Sequence, residues 1–114
     1  MSWQNLESVS GLSAIVQASG GRPQLIFKHS TRCGISAGAK RRLDAGIADL
    51  AAQLDLHYLD LIAHRDISAA IAEQFSVRHE SPQVLLIQNG SSILDLSHYS
   101  IEVDRILAGV KSDG

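Results

Sequence analysis

Two short stretches of this chain are apolar at nearly every position: "QLIFKH" (Gln24–His29) and "QVLLIQ" (Gln83–Gln88). Bounded by Pro, Gly or Asn, such runs read as strands covered on both faces. "LHYLDLI" (Leu56–Ile62) alternates less cleanly but is strand-like. "SSILDLS" (Ser91–Ser97) follows Asn89-Gly90. That dipeptide tolerates positive φ at both positions, so it predicts a hairpin pairing this strand antiparallel with the one before it. Elsewhere the pattern changes to helical spacing. Leu43, Ile47, Leu50 and Leu54 predict one helix over Ser36–Leu54. Ile67, Ile71 and Phe75 predict another, capped by Asp66 or Ser68. Val103, Ile106, Leu107 and Val110 predict a last helix capped by Ser100. "GLSAIVQAS" before Gly20-Gly21 fits a short first helix, and a short strand near Trp3 to Leu6 has weak support.

Strands separated by helices imply parallel pairing through right-handed crossovers, and the terminal hairpin adds antiparallel strands. The simplest solution is an α/β sandwich around a mixed sheet, one domain over residues 1–114. That length can bury a real core. Net charge near −2, with acids and bases interspersed, leaves no basic stripe for nucleic acid. No apolar run reaches the roughly 18–20 residues of a membrane span. The start "MSWQNLESVS" lacks the basic and apolar regions of a secretory signal. The single cysteine cannot close an intrachain disulfide, which suits a reducing compartment; the expected location is the cytoplasm.

That cysteine, Cys33, sits in "KHSTRCGIS", after a strand and at the start of the long predicted helix. Open α/β sheets form crevices at strand carboxyl ends, and a helix start offers unpaired N–H groups and a positive dipole end. Both favour a thiolate. A free thiol is only about 3% ionised at pH 7. A helix start contributes about 0.3–2 kcal/mol, and Lys28, His29 and Arg32 add to it where they point at the sulfur. The competing reading is a buried, inert cysteine, though the polar and basic neighbours are poor company for a core side chain. Ser36 is either an ordinary first-turn serine or the replacement for a second thiol, defining a Cys-x-x-Ser site. Such a site takes over a small thiol and waits for another thiol from outside. As a hydrogen-bond donor, Ser36 also suits a thiolate. Pro82 opens the Gln83 strand, where a proline is tolerated, and a cis bond is accessible there.

A helix ending in "IAEQFSVR", then Ser-Pro, an apolar strand and "NG", resembles the second half of a thioredoxin fold. "FKHSTRCGIS", "HESPQVLLIQNG" and "LSHYSI" together resemble the YtxJ-like family, the monothiol bacilliredoxins. The matching residues are Lys28, His29, Ser30, Cys33, Ile35, Ser36, His79 to Gln83, Asn89, Gly90, Ser97 and His98. The resemblance implies a thioredoxin-like three-layer sandwich, its mixed central sheet covered by helices on both faces. It implies monothiol exchange that removes bacillithiol from bacillithiolated proteins, with Cys33 and Ser36 at the reacting site. Pro82, in cis, would face Cys33. Lys28, His29, Arg32, Glu80, Ser81 and Pro82 would meet the substrate. Bacillithiol is the co-substrate, no cofactor is implied, and its carboxylates make Lys28, Arg32 or Lys40 steering groups. Two departures stand out. Gly34 follows the cysteine where members often carry proline. Phe27 occupies the place, six residues before the nucleophile, where thioredoxins carry a buried carboxylate.

The five histidines form no pair at ligand spacing, and no Cys/His cluster exists, so no metal is expected. Of these histidines, His79 is the better crevice candidate, with Glu80 beside it. Arg41 and Arg42 read as a solvated helix face. Two further functions fit the same residues: a non-catalytic thioredoxin-fold binding module, and a redox sensor in which Cys33 is simply capped by a small thiol.

Overall fold

The protein is described by a computed structural model covering residues 3–110. The elements in chain order are β1 (Gln4–Asn5), α1 (Val9–Ala18), β2 (Gln24–His29), α2 (Gly34–Ala45), α3 (Ile47–Gln53), β3 (Asp55–Asp60), α4 (Arg65–Phe75), β4 (Gln83–Gln88), β5 (Ser91–Ser97), a 3-10 turn (His98–Ser100) and α5 (Val103–Gly109). The five strands form one sheet in the order β1-β3-β2-β4-β5. β1, β3 and β2 run parallel, while β4 is antiparallel to both β2 and β5.

The continuous apolar runs land in the middle of the sheet, where all six residues of β2 and of β4 are buried. Their side chains alternate between faces. Leu25, Phe27, Val84 and Leu86 join Ala39 and Leu43 of α2, Leu50 of α3 and Ile106 of α5. Ile26, Leu85 and Ile87 join Leu12 and Ile15 of α1 and Ile67 and Ile71 of α4 on the other face. The result is a three-layer α/β sandwich. The Asn89-Gly90 turn has positive φ at both positions, 53° and 79°, as the dipeptide predicts. It is anchored to the end of α1 through the Ser19 carbonyl and hydroxyl.

Three sequence expectations need correction. The helix expected over Ser36–Leu54 is two helices, broken at Gly46. A Cβ there would lie 2.8 Å from the Val103 side chain, so α5 packs against bare backbone at the break. Neither Asp66 nor Ser68 caps α4, whose N-cap is His64. The Asp60 carboxylate and carbonyl accept from the Ala63 and His64 N–H groups, ending β3 early and starting the helix sooner. Ser100 does not cap α5. Its hydroxyl donates to the Ser97 carbonyl at 2.6 Å and accepts from the Ser97 N–H, closing the 3-10 turn instead. The short strand near Trp3 is present as β1.

Candidate functional site

Cys33 is the N-cap of α2, in extended backbone with φ −111° and ψ 123°. Its N–H donates to the Ser30 carbonyl (3.2 Å), and its carbonyl accepts from Ala37 N–H (3.0 Å), so both ends of the residue are fixed. The side chain is free of disulfide, half-buried and makes no capping hydrogen bond. The first N–H groups of α2, from Gly34 onward, have no acceptor inside the helix. They are donors that a thiolate in this position would use. Thr31, Arg32, Gly34 and Ile35 around it are exposed. Gly34 stands in open space, where an added Cβ would meet nothing within 4 Å, so crowding does not demand glycine there.

Beneath Cys33, Ser36 is fully buried. Its hydroxyl accepts from the Ser30 N–H (3.0 Å) and pairs with His29 Nδ1 (2.7 Å). The hydroxyl is therefore held by β2 and its turn. His29 itself is buried, stacked between Phe27 and Tyr58 at centroid distances of 5.4 and 5.6 Å. Its imidazole is held below the ordinary range, first by burial and then by the Lys40 ammonium, so at neutral pH it is an uncharged partner for Ser36. Ser36→Ala orphans two buried groups, the Ser30 N–H and His29 Nδ1. We expect a loss of about 1–3 kcal/mol and a fall in Tm of about 4–12 °C, measured by thermal unfolding. A change within about 0.5 kcal/mol, as for an ordinary surface serine, would contradict this assignment.

Lys28 departs from expectation. As the neighbour of His29 on a strand, it turns to the opposite face, where it has no exposed surface. Its Nζ donates to the Ser68 carbonyl of α4 (3.4 Å) and contacts His79 Nδ1 (3.3 Å). Burial pushes its pKa down to about 8. Lys28 therefore does not meet a ligand's carboxylates. Lys40 is engaged as well, in a 2.7 Å ion pair with Asp44, which also accepts from Trp3 Nε1. Arg32 is exposed and has no side-chain partner among the described residues.

The segment Arg78–Pro82 leads into β4. The Ser81–Pro82 bond is cis. Lys28 is paired with Gln83 across the β2–β4 ladder, so Pro82 lies at the same sheet end as the turn carrying Cys33. Glu80 stands between Arg78 Nε (3.8 Å) and His98 Nε2 (3.7 Å). Ser81 Oγ and Gln83 Oε1 are buried without a hydrogen-bond partner among the described residues. His98 has a left-handed φ of 55°, a conformation costing about 1–3 kcal/mol in a non-glycine residue. Its backbone is held from two sides: its N–H donates to the Pro82 carbonyl (3.1 Å), and its carbonyl accepts from Arg42 (3.1 Å). Arg42 also donates to the Ile101 carbonyl (3.0 Å), so it ties α2 to this turn and is not a solvated face residue. Nothing in the local sequence marks Arg42 for this role, because its acceptors lie 56 and 59 residues away.

Among the described residues no three His, Cys, Asp or Glu side chains gather as a metal would need, and no helix is long and apolar enough to cross a membrane. A family model described as monothiol bacilliredoxin BrxC matches residues 4–106. A solved structure described provisionally as an oxidoreductase with a thioredoxin fold is 28% identical, superposes with a TM-score of 0.82, and matches over 92% of this chain and 90% of its own. Thioredoxin from Fasciola hepatica is 16% identical with a TM-score of 0.75, over 94% and 99% of the two chains. Thioredoxin from Malassezia sympodialis is 17% identical with a TM-score of 0.70, over 94% and 86%. The sandwich is therefore a thioredoxin fold, and the family points to thiol redox chemistry.

Proposed function

The chain belongs to the monothiol bacilliredoxin family, and from that footing we propose that it removes bacillithiol from S-bacillithiolated proteins through Cys33, in the cytoplasm. The Cys33 thiolate attacks the bacillithiol sulfur of the mixed disulfide. A Cys33–bacillithiol disulfide forms, the original S–S bond breaks, and the repaired protein leaves as a thiolate that takes a proton from water. A free bacillithiol thiolate then attacks the captured bacillithiol sulfur, releasing bacillithiol disulfide and restoring Cys33. Ser36 supports the site from below and cannot resolve the intermediate internally. Arg32, exposed and uncommitted, is the cation assigned to the bacillithiol carboxylates, while Glu80, Ser81 and Pro82 line the other side.

The observation that carries this reading is the placement of the chain's only cysteine: half-buried at a helix start, at the sheet end where Pro82 leads into β4. The test is intact mass spectrometry after exposure to a bacillithiol mixed disulfide. We expect one bacillithiol added per chain, removed again by free bacillithiol. Failure to add it would overturn the proposal, and an adduct that free bacillithiol never removes would replace it with the capped sensor.

A further inference from the structure

The buried Lys28 touches none of the reacting atoms of the proposed cycle, yet it is among the largest fully buried side chains. Both of its hydrogen-bond partners are neutral, and no carboxylate pairs with it among the described residues. An apolar side chain of similar length would fill the same space without the desolvation cost of a buried ion. What the ammonium adds is direction. Through Ser68 it grips α4, and through His79 it grips the segment that leads into Pro82. The Ser68 hydroxyl also reaches His79 Nδ1 (3.3 Å). Next to Lys28 across the ladder, Gln83 donates from Nε2 to the Arg78 carbonyl (2.9 Å), holding the same segment one residue earlier. His79 is largely exposed, so it gains little from burial, and its inner nitrogen is the point of attachment.

We propose that Lys28 is a positioning residue for thiol exchange: acting through His79, it fixes the segment His79–Pro82 as the wall facing Cys33. The inference rests on the thiol-exchange reading but moves Lys28 from ligand contact to scaffold. Because His79 Nδ1 accepts from Lys28, the imidazole proton sits on the outer Nε2. Loss of hydration at the inner edge and the nearby Lys28 charge lower the His79 pKa, against an opposing pull from Glu80. A wall shifted by about 1 Å is enough to slow a positioned reaction by up to about a hundredfold.

The test compares Lys28→Met, His79→Asn and His79→Leu with the wild type. Asn keeps an acceptor near the Nδ1 position, whereas Leu removes it. For Lys28→Met we expect an unchanged or higher Tm, exchange with a small mixed disulfide slowed about tenfold or more, and faster hydrogen exchange at the His98 amide, which donates to the Pro82 carbonyl. The His79 titration, followed by NMR, should move up once the ammonium facing it is gone; its other charged neighbours, Arg78 and Glu80, stay in place. His79→Asn should keep most of the exchange rate and His79→Leu lose it. Wild-type exchange rates in Lys28→Met, or equal rates in the two His79 variants, would overturn the inference. Amide protection is read without any activity. Unchanged protection at the His98 amide in Lys28→Met therefore defeats this inference alone, whereas a wild-type protein unable to exchange defeats the proposed function alone. If Lys28→Met does not fold, the His79 pair decides.

Discussion

Replacing Cys33 with serine is expected to remove all thiol exchange, leaving only the uncatalysed background, while the protein stays folded. The thiolate is the attacking species in disulfide exchange, and a serine hydroxyl is un-ionised near neutral pH and forms no disulfide. No second thiol exists to substitute for it. The fold should tolerate the change because the side chain is only half-buried, and the N–H and carbonyl hydrogen bonds that hold residue 33 belong to the backbone. Two measurements check this: intact mass after exposure to a bacillithiol mixed disulfide, and the rate of protein-thiol release. Neither a mass gain nor release above background is expected. Residual turnover in Cys33→Ser would sink the assignment of the nucleophile. If the variant keeps partner binding at full affinity and the wild type shows no turnover, the binding-module function stands in its place.

How far the sequence carries this site depends on the length scale of each signal. β2, β4 and the Asn89-Gly90 hairpin are readable because their causes are local: continuous apolar runs and two residues that tolerate positive φ. Cys33 at a helix start is readable for the same reason. The break at Gly46 is not, because Leu43, Ile47 and Leu50 keep helical spacing across it. Its cause is Val103, packed against the glycine from more than fifty residues away. The roles of the site side chains are hidden in the same way. Lys28 and His29 look alike as polar residues at a strand end. Strand alternation sends them to opposite faces, one to α4 and His79, the other to Ser36. That alternation is open to a reader of the sequence, since β2 is recognisable there; the identity of the partners across the sheet is not. Arg42 and the left-handed His98 are long-range in the same sense.

Phe27 shows how the core and the site share one set of contacts, and Phe27→Ala is expected to lose more stability than either Ser36→Ala or Lys28→Met. The ring has no exposed surface and lies 5.6 Å from Trp3, 5.4 Å from His29 and 6.3 Å from Tyr58 by ring centroids. Large-to-small changes at such positions cost about 3–5 kcal/mol, the transfer term plus the cavity left behind. At about 4 °C per kcal/mol for a chain of this size, Tm should fall by about 12–20 °C, measured by calorimetry. Phe27→Leu, which keeps most of the volume, should lose less than half as much. A fall under about 4 °C for the alanine variant would mean that the aromatic cluster does not brace the core. The expected consequence reaches the site because His29 stacks on Phe27 and holds the Ser36 hydroxyl at 2.7 Å. Removing the ring frees the imidazole, and with it the first turn of α2. Exchange by the fraction of Phe27→Ala still folded at 25 °C should therefore fall below that of the wild type, whereas Phe27→Leu should exchange at close to the wild-type rate.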